Sequence, residues 1–189
     1  MTRQFQFVKL LILLFINAIA EFFPISSTAH SIILSKFLKI DANLNAFLAI
    51  SQLATVASLV YYFREMIVKI AKEFFTSKSI RIFCYNIFLA TLPSLVFGIL
   101  FHRIIRKYFH TNMIIALFLA TGGMLMILIE KYKKPGKNFS NDSTTALMEI
   151  LPRDMYKIGL LQAVSLLPGV SRSACTICTA LFLGIPRTL

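Results

Sequence analysis

The sequence predicts an all-α, polytopic integral membrane protein with two re-entrant helix–loop–helix regions. Three observations predict it. The 189 residues are 57% hydrophobic and only 15% charged, whereas a soluble chain is about 45–50% apolar and about 25% charged. The uncharged runs 42–63, 82–101 and 111–129 each come close to the ~20 residues a helix needs to cross a bilayer core. Two other apolar regions are interrupted by proline followed by a cluster of hydroxyl side chains. Disorder is excluded, because it requires low hydrophobicity. A disulfide scaffold is excluded, because three cysteines cannot staple a chain of this length. The net charge of +12 sits between apolar runs, so nucleic acid is not the expected partner.

The first interrupted region covers about 5–38 and is broken at Glu21, Pro24 and Ser26-Ser27-Thr28. Its basic, apolar start resembles a leader, but no small-x-small cleavage pattern precedes a soluble domain, so the segment is expected to be retained. Transmembrane helices follow at about 42–63, 82–101 and 111–130. Pro93 should kink the second of these without ending it. The segments 64–81 and 102–110 read as basic loops, and 131–155 as a long polar loop. Consecutive basic loops lie on opposite sides, so the positive-inside rule selects no orientation. The second interrupted region covers about 157–186 and is broken at Pro168-Gly169 and Ser171-Arg172-Ser173. Apolar pieces of about 10–14 residues suit re-entrant hairpins. Irregular backbone at membrane depth is tolerated where protein or water satisfies it, so each break should line a cavity.

The two breaks resemble each other. Asn17-Ala18-Ile19-Ala20 leads to Pro24 and its hydroxyls, and Gln162-Ala163-Val164-Ser165 leads to Pro168 and its own. Paired broken helices are the mark of inverted repeats with a site between them. Charge placement points to the same breaks. Glu21 is the one carboxylate inside an apolar run, and Arg172 the one charge between Lys157 and Arg187. A charge in the bilayer costs at least about 2.5–3.5 kcal/mol, which marks both as functional candidates. A structural Glu21–Arg172 salt bridge is the plainer alternative.

If a helix restarts after Pro24, Ser26 and Ser27 lie four and three residues from His30, on one face. A hydroxyl beside an imidazole is the minimal activated-nucleophile pair. In the second break, Gly169 would let backbone approach a ligand. A helix starting at Ser171 would aim its free N–H groups and dipole into the same space. Arg172 with Ser171, Ser173 and Thr176 at a helix N-terminus is a phosphate-binding constellation, although serines there also serve as caps. Cys84, Cys175 and Cys178 read as packing residues. Gly122-Gly123 reads as a close-packing site, and Gln52 as an interhelical hydrogen bonder. Inverted broken helices also fit a transporter of a lipid or small anionic solute.

Glu21-Phe22-Phe23-Pro24-Ile25-Ser26-Ser27-Thr28-Ala29-His30 closely resembles the E-F-x-P-[VI]-S-S-T-[GA]-H motif of the undecaprenyl-diphosphate phosphatase family of bacitracin-resistance type. Pro168-Gly169-Val170-Ser171-Arg172-Ser173-Ala174-Cys175-Thr176 resembles its second motif, P-G-x-S-R-S-G-x-T. The resemblance implies a multi-pass enzyme of the bacterial plasma (inner) membrane. It implies hydrolysis of undecaprenyl diphosphate to the monophosphate, carrier recycling for peptidoglycan synthesis, and bacitracin resistance. It implies dependence on a divalent metal, Mg²⁺ or Ca²⁺. By position it carries over Glu21, Ser27, His30 and Arg172 as catalytic residues. Ser26, Thr28, Gly169, Ser171, Ser173 and Thr176 become substrate-binding residues, and Glu21 a metal ligand. Ser27 assisted by His30 or Glu21, or His30 itself, would be the nucleophile. Asn17 stands where the family usually has Glu or Gln, which makes it a weak second metal ligand, and Ala174 replaces the usual Gly. The expected partners are a polyprenyl diphosphate and membrane lipids, with a homo-oligomer allowed. Family members continue beyond the second motif with further membrane helices, so the chain is expected to be a truncated form of reduced or absent activity.

Overall fold

The computed structural model describes residues 2–40, 43–109, 111–132, 136 and 148–186. The described residues are helical in the order α1 Thr2–Phe22, α2 Ser27–Phe37, α3 Leu44–Tyr62, α4 Arg64–Glu73, α5 Lys78–Tyr108, α6 Asn112–Tyr132, α7 Pro152–Gln162 and α8 Arg172–Phe182. A 3₁₀ turn, Ala163–Leu166, joins α7 to the second break. The expected polar loop 131–155 lies mostly outside the described residues, as do His110 and Arg187.

Among the described residues four helices, α1, α3, α5 and α6, are long and apolar enough to cross a membrane, so the chain is a multi-pass membrane protein. Their outer faces carry large apolar side chains, among them Phe15, Ile50, Leu53, Ile99 and Ile127, all exposed. In water such a surface would aggregate; against lipid tails it is the matched solvent. α1 is 21 residues long, about 31 Å at 1.5 Å per residue. The first hairpin therefore joins one crossing-length arm to the half-length α2.

Three boundaries differ from the sequence expectation. Residues 64–73 form α4 rather than loop, because Met66, Ile67 and Ile70 recur on one face and Glu65 and Lys72 complement the two ends of the dipole. α5 runs unbroken for 31 residues through Pro93 and past Arg103 to Tyr108. Its last-turn basic residues, Arg106 and Lys107, favour the negative helix end and can reach past the hydrocarbon on their long stems. α7 begins at Pro152, earlier than expected, because proline suits the first helical position, where no N–H partner is needed.

The short helices sit inside. α2 packs on α1, α3 and α6, while α8 packs on α6 and α7, and α7 lies chiefly along α5. Both α2 and α8 have 11 residues and end alike. Ile40 N–H reaches the Ser35 carbonyl at 2.9 Å across left-handed Lys39, and Ile185 N–H reaches the Ala180 carbonyl at 2.9 Å across Gly184. Each is a Schellman stop. Lys36, in the last turn of α2, donates to Asn112 Oδ1 at 2.6 Å and so ties that end to the start of α6.

The glycines expected to pack tightly do not. A Cβ on Gly122 or Gly123 would meet nothing within 4 Å, and both line a cleft. The tight contact falls at Gly159, where a Cβ would overlap the Ala90 carbonyl. α7 can lie along α5 only with hydrogen at that point. Gly159→Ala should therefore separate α7 from α5 and destabilise by at least about 1–3 kcal/mol. Gly122→Ala should leave thermal stability in detergent unchanged or raised. Melting curves followed by circular dichroism check both.

Candidate active site

Two Pro-containing breaks face each other. In the first, Ser26 caps α2 from the left-handed region (φ 64°) and is buried. Few non-glycine residues adopt that conformation, and those that do cluster at functional sites. In the second, Gly169 (φ 99°) turns the chain toward α8. A Cβ on Gly169 would sit 2.6 Å from the Ile115 carbonyl oxygen. Its closest backbone approach within the protein is thus to α6.

The breaks are joined directly. Ser173 Oγ donates to the Phe23 carbonyl at 3.2 Å. Its one proton is then committed, so the Ser171 hydroxyl is the donor in the 3.1 Å Ser171–Ser173 contact. Ser171 Oγ in turn accepts from Ala174 N–H at 3.2 Å. The capping role of Ser171 is therefore real, and it begins a chain of bonds that fastens the start of α8 to the turn after α1. Thr176 donates back to carbonyls of its own helix, Arg172 at 3.3 Å and Ser173 at 3.1 Å.

A polar cavity of about 310 Å³ lies between the breaks. Glu21, Ser26, Ser27, Thr28, Ser171, Arg172, Ser173 and Thr176 line it, together with Gln52, Thr55, Gln162 and Ser165. Ser27 Oγ donates to Glu21 Oε2. Arg172 is exposed toward the cavity and makes no ion pair among the described residues. The Glu21–Arg172 salt bridge is thus absent there, and both charges remain available. Arg172 and Ser173 occupy the first turn of α8, where backbone N–H groups have no acceptor within the helix.

His30 is placed differently. Its Nδ1 meets the Ser26 carbonyl at 3.0 Å; a carbonyl only accepts, so Nδ1 carries the proton. The ring lines a second, mainly apolar cleft of about 510 Å³ with Phe118, Gly122, Met126, Leu161 and Cys175. The expectation of one face for the hydroxyls and His30 assumed helix from Pro24 onward. Left-handed Ser26 lies outside the helix as its N-cap, and within α2 Ser27 is bonded to Glu21 while His30 lines the other space. Ser26, Val170 and Ser171 form the wall common to both spaces. Gly169 lines the apolar cleft alone of the two.

Asn17 is 2% exposed and its Oδ1 accepts from Ser31 at 2.7 Å, so it fastens α1 to α2 and does not line the polar cavity. Sequence reasoning missed Thr55, Gln162 and Ser165 as cavity residues and gave Gln52 another role. The signal was available: Gln52/Thr55 and Gln162/Ser165 are two amide–hydroxyl pairs at i, i+3 spacing within apolar runs.

The profile described as bacitracin resistance protein BacA matches residues 10–189. The chain belongs to the BacA family. Among curated relatives, it is 34% identical over 185 residues to an undecaprenyl-diphosphatase of Methylobacillus flagellatus, covering 95% of this chain and 66% of that one. It is 37% identical over 187 residues to an undecaprenyl-diphosphatase of Buchnera aphidicola subsp. Acyrthosiphon pisum, covering 97% of this chain and 68% of that one. It is 33% identical over 181 residues to undecaprenyl-diphosphatase 1 of Agrobacterium fabrum, at 95% and 65%. The chain thus spans about two thirds of the length of these BacA relatives.

Ser171→Ala should remove the cap of α8 and the link through Ser173, costing about 0.5–2 kcal/mol. Hydrogen exchange of the Arg172–Cys175 amides, compared with the wild type, checks this. Faster exchange confined to that turn is the expected result.

Proposed function

We propose that this BacA-family chain carries the catalytic centre of a membrane phosphatase that hydrolyses undecaprenyl diphosphate to undecaprenyl phosphate and phosphate. It would act in the bacterial plasma membrane, recycling the lipid carrier of peptidoglycan synthesis and so lowering sensitivity to bacitracin. The observation that carries the proposal is the Ser27 hydroxyl donating to Glu21 in the cavity that holds Arg172 and the start of α8. An apolar cleft lies directly behind the shared wall. A lipid diphosphate needs that combination: a polar space for the headgroup and an apolar one beside it for the chain. The names of the relatives support the substrate class.

The mechanism follows from these placements. Arg172 and the first-turn N–H groups of α8 hold the diphosphate oxygens by charge-assisted hydrogen bonds. Ser27 Oγ attacks the terminal phosphorus and its proton passes to Glu21. The bridging P–O bond breaks, and undecaprenyl phosphate departs with the proton that Glu21 releases. Glu21 then takes a proton from the water that attacks the phosphoserine, and returns it to Ser27 Oγ as phosphate leaves. Phosphoryl transfer depends chiefly on positioning and on charge stabilisation, which makes Arg172 the most sensitive residue. Arg172→Ala should lower phosphate release from a polyprenyl diphosphate in detergent by about 100-fold or more. Arg172→Lys should recover only part of it, because lysine lacks the planar fork. A wild-type rate in Arg172→Ala would contradict the assignment.

The donor set suits a hard divalent cation, Mg²⁺ or Ca²⁺. It consists of oxygen ligands with one carboxylate, Glu21, whose Oε2 is engaged by Ser27 and whose Oε1 is open among the described residues. No group of three His, Cys, Asp or Glu that could hold a metal exists among the described residues. Glu21 would therefore hold the cation jointly with substrate oxygens, the usual manner for Mg²⁺. Bound there, the cation would neutralise charge on the diphosphate. Chelation should abolish phosphate release, and Mg²⁺ or Ca²⁺ should restore it.

A further inference from the structure

We propose that Gln52 on α3 and Gln162 at the end of α7 are headgroup-binding residues, whose side-chain amides donate to the diphosphate oxygens. This rests on the phosphatase reading and extends it to two residues outside both motifs. Gln52 and Gln162 line the polar cavity with Glu21, Ser27 and Arg172. They reach it from elements on different sides: α3 packs on the first hairpin, and α7 belongs to the second.

Neither amide has a hydrogen-bond partner among the described residues. Both side chains are open to the cavity rather than buried in protein, so their donors are available to whatever occupies it. An interhelical hydrogen bond, the ordinary role for glutamine in a membrane helix, is therefore not what Gln52 makes there. A ligand in the cavity would supply the missing acceptors. The neighbouring hydroxyl cannot substitute for Gln52: Thr55 already donates to the Ser51 carbonyl at 3.1 Å, which leaves it only lone pairs to offer. In that pair the donors belong to Gln52.

The charge balance of the cavity explains why amides suit the task. Arg172 and Glu21 are its charged lining residues, and one cation against one carboxylate leaves little to offset a multiply charged diphosphate. A further lysine or arginine would carry the full cost of a second charge in the membrane. A glutamine contributes two N–H donors without adding charge. Two glutamines from different helices would add their donors to those of Arg172.

The test is binding of inorganic pyrophosphate, with Mg²⁺, to the purified 189-residue chain in detergent, measured by titration calorimetry beside phosphate release from a polyprenyl diphosphate. A hydrogen bond to a charged group is worth about 10-fold or more in affinity. Gln52→Met and Gln162→Met should each weaken pyrophosphate by about that factor and raise KM more than they lower kcat. Ser27→Ala should do the reverse, abolishing turnover while still binding. If either methionine variant loses its helical circular dichroism, Gln52→Glu and Gln162→Glu replace it; these keep the size and polarity but exchange the donors for a carboxylate, and should bind more weakly still. Folded glutamine variants that bind pyrophosphate as the wild type does would overturn the proposal and leave the phosphatase reading standing. A wild-type chain that neither binds pyrophosphate nor releases phosphate would overturn both.

Discussion

The hydrogen bond from Ser173 Oγ to the Phe23 carbonyl joins the two interrupted helices beside the polar cavity. Each break leaves backbone groups that hydrocarbon cannot satisfy. In the first break the Phe23 carbonyl takes Ile25 N–H at 2.8 Å and the Ser173 hydroxyl as a second donor, and the second break would leave the N–H groups that begin α8. The serine relay answers part of this need on both sides at once. Because Ser171 caps α8 while Ser173 holds the opposite turn, Arg172 lies between two fixed residues. Its position over the cavity follows from that anchoring. Glu21 and Ser27 meet across the turn that Ser173 restrains, so the two halves of the site are set by one bond network.

The same turn divides polar from apolar space. Ser26, the left-handed N-cap of α2, forms part of the wall between them, with Ser27 lining the polar side and His30 the apolar side. An amphiphile would lie across this wall, with its charged end beside Arg172 and its chain along α6, where Gly122 and Gly123 leave room. The glycine pair widens a cleft here, and the contact that needs glycine is made elsewhere, by Gly159 against α5. The polar cavity holds few charges for the work it is assigned, and neutral amides and hydroxyls make up much of its lining.

The crossing helices α3, α5 and α6 were legible because uncharged runs of twenty residues have few alternatives in a chain this apolar. The breaks were legible because proline followed by hydroxyls stops a helix. Glu21 and Arg172 stood out by their cost in the membrane, and both face the cavity. What could not be read was direction. Ser27 and His30 lie three residues apart in one helix, yet Ser27 lines the polar cavity and His30 the apolar cleft, because the neighbouring elements, not the spacing, decide which space each side chain enters. Asn17 aligned with the site by sequence, yet its amide is turned inward to Ser31. Gly169 also meets Ile115 on α6, a contact that requires knowing which helices are neighbours. α4 was hidden because its charges recur often enough to resemble a loop.

The central claim is that Ser27, deprotonated by Glu21, accepts the phosphoryl group. The most direct measurement is mass spectrometry of the purified chain, quenched at neutral pH during turnover of a polyprenyl diphosphate with Mg²⁺ present. The account predicts a transient phosphate on Ser27 that accumulates before steady state and is absent from Ser27→Ala protein. A phosphate found on His30, or phosphate release that continues in Ser27→Ala protein, would contradict it.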